Sequence, residues 1–411
     1  MPINDLQLLK ETSLFTRLKD VSTMLSPPSI YTNRLKHIEQ VCETAKVMES
    51  SFPFNLPDLL YECCLFHDLG HCCFAHEGED AFSDFISKHL FIDKEKAGFS
   101  HAINGVLMLI KALKAKDNRK LKSLLYTDSE KLRIIFDSIA KHSINDNVVN
   151  GVYFSFVNNL LRRESGDVLS IVPSVEPQYD VGNYVRVADD ISTKDSDVID
   201  LFHHYYKEEY NKLLESDYDI GNRFFIRDLY IKKLSSIAKC YYDSKKLSLF
   251  NVDREMKKLS SYQSEKELLK ISYGFSYKKH ITHLSQLLIS ELLDLISNDV
   301  YLLENTSYKK LLNFIVSETK KSALVNIKQK GFLPKTFNIE FLYKNINTIG
   351  KLNYRQVLSD FLCSIVYEFS SLTDTDLLLL AQEIDSKKPL SISSKNSLKE
   401  LACIFGIKNA H

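Results

Sequence analysis

The chain has 411 residues, 44% of them hydrophobic, and its 53 Lys and Arg residues balance 53 Asp and Glu residues. A net charge of zero excludes a global field that would draw the chain to nucleic acid or to a membrane surface, so an anionic ligand must be captured by a local positive site. The low content of Gly and Pro, 12 and 9 residues, favours helices over a β-sandwich. We therefore expect a mostly α protein with a sizeable core.

The first third of the chain predicts a series of short helices. Apolar residues at helical spacing indicate a helix over 13–24, and the next helix carries Arg34 and His37 on one face. Asp58 is placed to cap a helix that runs to a glycine stop at Gly70.

The following segments alternate turns and helices. We expect a turn over 71–74, a helix carrying His76 and Glu79, and a further helix that opens at Phe99 or Ser100 and carries His101. Beyond residue 206 the pattern predicts long amphipathic helices over 221–243, 265–298, 306–328 and 353–386. The sequence predicts two regions, one over 1–205 and a helical C-terminal region over 206–411 that packs on it.

Histidines and carboxylates are concentrated in the segment Glu62–Glu79, which reads ECCLFHDLGHCCFAHEGE. A single histidine in an apolar helix is more often a hydrogen-bonded core residue than a metal ligand. The combination matters here: His37 on one helix, His67-Asp68 on the next, and Asp189 on a later one. Two imidazoles and two carboxylates form a mixed ligand set that suits one Mn²⁺, Mg²⁺ or Fe²⁺ ion better than a closed structural zinc.

These motifs resemble the HD phosphohydrolase superfamily, and within it the deoxynucleotide triphosphohydrolase (dGTPase-like) branch. That branch reads RxxH, ExxLxHDxGHxPFxHxGE, FxHN and ADxIxY, followed by HDxxD. The matching segments are 34–37, 62–79, 99–101 and 188–191, with Ala102 in place of the Asn of FxHN. Weaker matches are Arg17, His142 and Asp374 with their neighbours. The resemblance covers roughly 15–205 and implies a helical HD-type fold. It makes 1–205 the expected catalytic core, with the region 206–411 contributing to the substrate pocket and to an oligomer interface.

The resemblance also implies a role for each matched polar residue. The implied metal ligands are His37, His67, Asp68 and Asp189. The implied catalytic groups are His76 paired with Glu79, with His101 as their neighbour. The implied substrate contacts are Arg34 and His71 to phosphate and Asp197 to the ribose 3′-hydroxyl.

The residues expected to read the sugar depart from the family pattern. Thr23 stands where the family usually has a Gln, and Thr193 stands where a Tyr packs against the sugar and disfavours a 2′-hydroxyl. Ser196 replaces the His of HDxxD. Strict selection of deoxyribose is therefore a weaker expectation than nucleotide hydrolysis itself.

The implied reaction is metal-dependent hydrolysis of a (deoxy)nucleoside triphosphate at the α-phosphate, which gives nucleoside and tripolyphosphate. The alternatives are another HD phosphohydrolase (a nucleotidase, a cyclic-nucleotide esterase or a single-strand nuclease) and a non-catalytic nucleotide sensor. Family members form tetramers or hexamers, so a homo-oligomer is expected. Nucleic-acid binding through the basic run 320–330 is possible but not favoured.

The expected location is the cytoplasm. No signal pattern opens the sequence, and no stretch of 18 apolar residues predicts a membrane span. The adjacent cysteines at 63–64 and 72–73 do not form a CxxC zinc pattern, so we expect buried, reduced thiols. A regulatory disulfide that involves Cys72 or Cys73 is the alternative.

Overall fold

The computed structural model describes residues 8–23, 33–51, 58–113, 129–165, 170–204, 276–302, 354–387 and 389–407. These ranges contain α-helices and short 3-10 helices and no β-strand, which confirms the predicted mostly α class. None of the helices in these ranges has the length and apolar character needed to cross a membrane.

We number the helices of the described ranges in chain order. They are α1 Ser13–Thr16, α2 Arg34–Ser51, α3 Leu59–Phe66, α4 Ala75–Leu90, α5 His101–Leu113, α6 Ser129–Lys141, α7 Asp146–Val149, α8 Val152–Ser165, α9 Asp180–His204, α10 Ser276–Leu302, α11 Tyr354–Ser370, α12 Asp374–Lys387 and α13 Ile392–Ile404. The 3-10 helices are Leu8–Glu11, Arg17–Asp20 and Lys94–Lys96.

Two groups of helices meet at the histidine-rich segment. Helices α2, α3, α6 and α9 pack on one another, and α5 joins them through α6. Helix α4, which follows the histidine-rich turn, packs instead against α10 and α11, and α10 also contacts α13. One buried apolar cluster runs through both groups, from Phe15 to Leu401. The HD dipeptide therefore lies between two helical layers that share a core.

Several predicted helix limits differ from the structure. The helix expected to reach Gly70 ends at Phe66, and the chain turns there so that the polar residues after it face the other helices. Asp58 does precede that helix, but its backbone is left-handed (φ 61°) and its side chain accepts no capping hydrogen bond. The helix expected over 13–24 is split into α1 and a 3-10 turn.

Differences in the C-terminal half are smaller. The helix predicted over 265–298 corresponds to α10, and the one predicted over 353–386 is broken into α11 and α12 around Leu372. The predicted helices over 221–243 and 306–328 lie outside the described residues, as does the predicted boundary after residue 205.

Residues 67–74, which we call the HD turn, are held by side chains from distant parts of the sequence. The buried Arg17 guanidinium donates from Nη2 to the carbonyls of Leu69 (2.8 Å) and His71 (2.7 Å). The buried Asn104 amide donates to the carbonyl of Gly70 at 2.8 Å. Buried carbonyls outside regular structure need such partners, so these two side chains fix the course of the turn.

Gly70 lies where the HD turn touches α5. A Cβ atom at this position would lie 2.0 Å from the carbonyl oxygen of His101 and 2.2 Å from the nitrogen of Gly105. Only a residue without a side chain permits this approach. The close contact brings His71 and His101 within reach of each other.

Candidate functional site

The four residues expected to bind a metal come together at one point. Helix α2 supplies His37, the HD turn supplies His67 and Asp68, and α9 supplies Asp189. His37 Nε2 lies 3.0 Å from Asp189 Oδ1 and 3.5 Å from Asp68 Oδ2, and His67 Nε2 lies 3.6 Å from Asp189 Oδ1. Both imidazoles and Asp68 are almost fully buried, while the Asp189 side chain keeps 23% of its surface exposed. The centre therefore opens towards solvent on the Asp189 side.

His67 presents its Nε2 atom to this centre. Its Nδ1 lies 2.6 Å from the carbonyl oxygen of Cys64, which only accepts, so Nδ1 carries a proton, and in the neutral ring Nε2 carries the lone pair. Nε2 is buried and has no hydrogen-bond partner among the described residues. Oxygens of Asp68 and Asp189 stand 3.5 and 3.6 Å away. A buried lone pair fixed by a carbonyl behind it and faced by carboxylates is the arrangement of a metal-binding histidine, so these residues fit a divalent cation.

The electrostatics around Asp68 favour its ionised form. Burial alone would raise the pKa of Asp68, but His67, His71 and Arg34 together hold it well below its usual range. Arg34 contributes an ion pair of 2.8 Å from Nη1 to Asp68 Oδ2. Against the effect of burial, the neighbouring aspartates raise the pKa of His67 to about 9, so a cation that binds at Nε2 takes the place of a proton there. The centre thus concentrates negative charge that a cation would neutralise.

A second cluster forms around Glu79 on α4. Its Oε1 lies 2.7 Å from His101 Nδ1, 3.2 Å from His76 Nδ1 and 3.4 Å from His71 Nδ1. The sequence paired Glu79 with His76, and the structure places His101 closer to it. His76 is 65% exposed, whereas His71 and His101 are buried. Of these three histidines, His76 is therefore the one that faces solvent.

His71 connects the two clusters. Its ring stacks on His101 with a centroid distance of 3.8 Å and an interplanar angle of 12°, and its Nε2 lies 3.2 Å from Asp68 Oδ1. Burial, with the Arg34 charge as a second cause, lowers the pKa of His71 well below its usual value, so the ring is neutral at pH 7. Glu79 is ionised, because His101 and His76 outweigh burial and keep its pKa low.

Two of the three residues expected to contact the sugar have described contacts, and both contacts are to other residues of the site. Thr23 contributes its carbonyl, which accepts from Arg34 Nη2 at 3.0 Å. The Thr193 hydroxyl donates to Asp189 Oδ1 at 3.0 Å and so supports an expected metal ligand. Asp197 belongs to α9, but its side chain lies outside the described residues.

The structure adds His142 to the site, to which the sequence assigned no role. This residue follows the last turn of α6, and its Nε2 lies 3.2 Å from His101 Nε2 and 3.7 Å from Asp68 Oδ1. The sequence signals it only weakly, as a histidine at the end of an amphipathic helix and a weak match to the family pattern.

The paired cysteines lie behind the site rather than in it. Cys63, Cys64, Cys72 and Cys73 are fully buried, and all four are free thiols. Burial raises the pKa of all four thiols above the usual value, so they are protonated and unreactive.

Comparison with known proteins gives a partial match. No family model matches the chain. Curated deoxyguanosinetriphosphate triphosphohydrolase-like proteins do match it: one from Clostridium tetani at 33% identity over 81 residues (20% of each chain) and one from Roseobacter denitrificans at 33% over 91 residues (22% of this chain, 21% of the relative). The chain is a distant relative of dGTPase-like proteins.

The similarity is confined to part of the relatives. A third such protein, from Allorhizobium ampelinum, is 28% identical over 109 residues, which is 26% of this chain and 25% of the relative. The chain thus spans about a fifth to a quarter of the length of the curated relatives it matches.

Proposed function

We propose that this protein is a metal-dependent nucleotide phosphohydrolase of HD type that hydrolyses (deoxy)nucleoside triphosphates at the α-phosphate. The observation that carries the proposal is the convergence of His37, His67, Asp68 and Asp189, with the buried lone pair of His67 Nε2 aimed between two carboxylates. The similarity to proteins named deoxyguanosinetriphosphate triphosphohydrolase-like supports a triphosphate as the substrate class.

The four converging residues would hold one Mn²⁺, Mg²⁺ or Fe²⁺ ion. Such a cation supplies Lewis acidity, which polarises a phosphoryl oxygen and lowers the pKa of water. Arg34, already fixed beside Asp68, adds positive charge that favours an anionic phosphate nearby. The reaction forms one bond from water oxygen to the α-phosphorus and breaks the bond from that phosphorus to the 5′-oxygen.

The departing 5′-oxygen must receive a proton, and we assign this step to His76. Its Nδ1 faces Glu79, which leaves Nε2 free to meet a substrate, and its ring is the exposed one of the cluster. A histidine held by a carboxylate transfers protons efficiently near neutral pH. The products are then nucleoside and tripolyphosphate, with the proton of water balancing the one that His76 gives up.

The test is incubation of the purified full-length chain with Mn²⁺ and a panel of the dNTPs and rNTPs, with products separated by chromatography. Nucleoside plus tripolyphosphate is the expected result. Release of orthophosphate, or shortening of an oligonucleotide, would instead assign the chain to another class of HD phosphohydrolase. Nucleotide binding without turnover would make it a sensor.

A variant pair locates the proton donor. His76→Ala should abolish turnover and preserve binding of Mn²⁺ and of nucleotide. The control is His280→Ala, which removes a surface imidazole paired with Glu400 on the C-terminal helices and should leave turnover unchanged. Full turnover by His76→Ala would show that another group supplies the proton.

The assembly and the sugar preference are part of the same proposal. A tetramer or hexamer of identical chains is expected, and light scattering after gel filtration measures it. The small side chain of Thr193 leaves room beside Asp189, so ribonucleotides should be accepted better than by a protein with Tyr at this position. The nucleotide panel measures that ratio directly.

A further inference from the structure

Two consecutive residues just before His76 have a left-handed backbone. Phe74, the last residue of the HD turn, has φ 56°, and Ala75, the first residue of α4, has φ 48°. A side chain makes this conformation unfavourable, so two such residues in a row persist only where the surrounding structure holds them. We call Phe74 and Ala75 the left-handed pair.

The position of the His76 ring depends mainly on the backbone before it. The side chain is 65% exposed, and its Nδ1 lies 3.2 Å from Glu79 Oε1 on the same helix. Its ring meets the rings of His71 and His101 edge to face, with centroids 5.3 and 5.4 Å apart. Since most of the ring is not packed, it takes its place from its own Cα atom, and the left-handed pair sets where that atom lies.

Two side chains from the C-terminal helices hold Phe74. Asp374, at the start of α12, accepts a hydrogen bond of 2.5 Å from the backbone N–H of Phe74. Phe405, directly after α13, packs its ring edge to face on the Phe74 ring, with a centroid distance of 5.4 Å and an interplanar angle of 89°. Phe74 is fully buried. Because its backbone and its ring are both held, Phe74 cannot leave the left-handed region without losing one of these contacts.

Local hydrogen bonds close the turn but do not fix it to another helix. The backbone N–H of Ala75 donates to the carbonyl of Cys72 at 3.1 Å, and the Cys72 thiol donates to the carbonyl of Ala75 at 3.3 Å. Both bonds join residues three positions apart. Asp374 and Phe405 instead connect the left-handed pair to a part of the chain about 300 positions away.

We propose that Phe405 and Asp374 are positioning residues for His76: by holding the left-handed pair, they place the His76 ring beside Glu79. The inference rests on the proposed function, in which His76 gives a proton to the departing 5′-oxygen. Both residues act through Phe74 rather than on the reacting atoms. The proposal gives α12 and α13 a part in the chemical step.

The first test replaces Phe405 by Leu in the full-length chain, which keeps an apolar side chain and removes the ring. The kcat for nucleotide should fall roughly 10- to 100-fold, because a displacement of about 1 Å at a catalytic group is enough for such a loss. KM and the Kd for Mn²⁺ should stay within about two-fold of the wild type, since the proton donor acts in the transition state. The control is Ile392→Ala, an exposed residue at the start of α13, which should leave kcat unchanged.

A second substitution separates the placement of His76 from a general loss of packing. Glycine adopts the left-handed region about as readily as the right-handed one, so adding Ala75→Gly to Phe405→Leu should bring kcat back to within roughly two-fold of the wild type. The matched control is Ala81→Gly in the same helix. Both alanines are 2% exposed, but Ala81 has no positive φ, so its replacement should not raise the kcat of Phe405→Leu.

Hydrogen exchange of the backbone amides tests the hold on the left-handed pair without any turnover. Residues 74–82 should exchange faster in Phe405→Leu than in the wild type. Helix α2, which belongs to the other group of helices, should exchange at the wild-type rate in both proteins. Exchange that rises equally in both segments would mean that the substitution loosens the whole protein, and would contradict the proposal.

The kinetic results can also overturn the proposal. A wild-type kcat in Phe405→Leu would do so, as would a kcat that Ala75→Gly does not restore or that Ala81→Gly restores equally. If the wild type releases no tripolyphosphate, the proposed reaction fails, and hydrogen exchange then decides the hold alone. Unchanged exchange over 74–82 would reject it, and faster exchange confined to this segment would support it.

Discussion

The carboxylate of Asp374 accepts a hydrogen bond of 2.5 Å from the backbone N–H of Phe74, across 300 positions of the chain. Its other oxygen accepts from the backbone N–H of Ser22 at 3.0 Å. One fully buried side chain at the start of α12 therefore joins the N-terminal segment to the end of the HD turn. The position of the turn that carries His67 and Asp68 depends on the C-terminal half of the protein.

Replacing Asp374 by Asn should destabilise the protein. The amide can offer an oxygen to only one of the two backbone N–H groups, and its NH₂ then faces the other donor. A buried donor left without an acceptor costs about 1–3 kcal/mol, so we expect a lower melting temperature. The control is Asp93→Asn on the surface, where the ion pair to Lys96 is exposed. Equal melting temperatures for the two variants would contradict the role of Asp374.

The stability should also depend on pH through Asp374. Burial, which outweighs two backbone hydrogen bonds, raises its pKa from 3.8 to about 6. The folded state therefore binds a proton at Asp374 more tightly than the unfolded state does. The resulting stabilisation of the folded state is fully present below pH 3.8 and is lost as the pH rises through 6. The difference amounts to about 3 kcal/mol.

Urea unfolding of the wild type and of Asp374→Asn at a series of pH values isolates this effect, because the variant cannot titrate there. The stability advantage of the wild type over the variant should be larger at pH 4.5 than at pH 7.5. An advantage that grows with pH would mean that the carboxyl is buried in its charged form.

Replacing Gly70 by Ala should disrupt the site through the backbone. The added Cβ would meet the carbonyl of His101 at 2.0 Å, so the HD turn and α5 must separate. Overpacking typically costs about 1–3 kcal/mol, and a clash with rigid backbone belongs at the upper end of that range. Gly406→Ala is the control, since a Cβ there meets nothing within 4 Å and the only cost is that of an alanine at a left-handed φ of +65°. Thermal unfolding and Mn²⁺ binding should both be impaired more in Gly70→Ala.

Local patterns in the sequence predict the helices and the four converging ligands, but not the side chains that hold them. The four ligands lie in short motifs whose histidines and aspartates indicate metal binding; they are His37, His67, Asp68 and Asp189. The supporting side chains of Arg17, Asn104 and Asp374 bind backbone N–H and C=O groups of the HD turn. Every sequence has such backbone groups, so the sequence does not show which of them need a side-chain partner. The sequence marks Arg17, Asp374 and His142 only as weak family matches and does not mark Asn104, and the contact that each side chain makes is seen only when the fold brings it near.

Lys131 and Glu62 form an ion pair, and removing one partner should lower the free energy of unfolding. Lys131 Nζ lies 2.5 Å from Glu62 Oε2, and the Glu62 side chain is only 4% exposed. Burial raises the pKa of Glu62, and Lys131 opposes that shift. Lys131→Met leaves a buried carboxylate without its cation and should lose about 3–5 kcal/mol of unfolding free energy.

The double variant Glu62→Gln with Lys131→Met removes both charges and should recover most of this loss. Chemical denaturation of the single and double variants measures it. If the double variant is no more stable than Lys131→Met alone, the pair does not compensate the buried charge.

Substitutions of Thr193 test whether metal binding by Asp189 depends on the hydrogen bond that orients its carboxylate. The Thr193 hydroxyl donates to Asp189 Oδ1 at 3.0 Å, on the oxygen that faces His37 and His67. Thr193→Val keeps the shape and removes this donor, so the carboxylate loses its orientation. We expect the dissociation constant for Mn²⁺ to rise roughly 10- to 100-fold, the usual effect of removing a group that orients a metal ligand. Thr193→Ser retains the hydroxyl and should bind Mn²⁺ nearly as the wild type does. Equal affinities for the Val and Ser variants, measured by calorimetric titration, would show that Asp189 does not need this hydrogen bond to bind the cation.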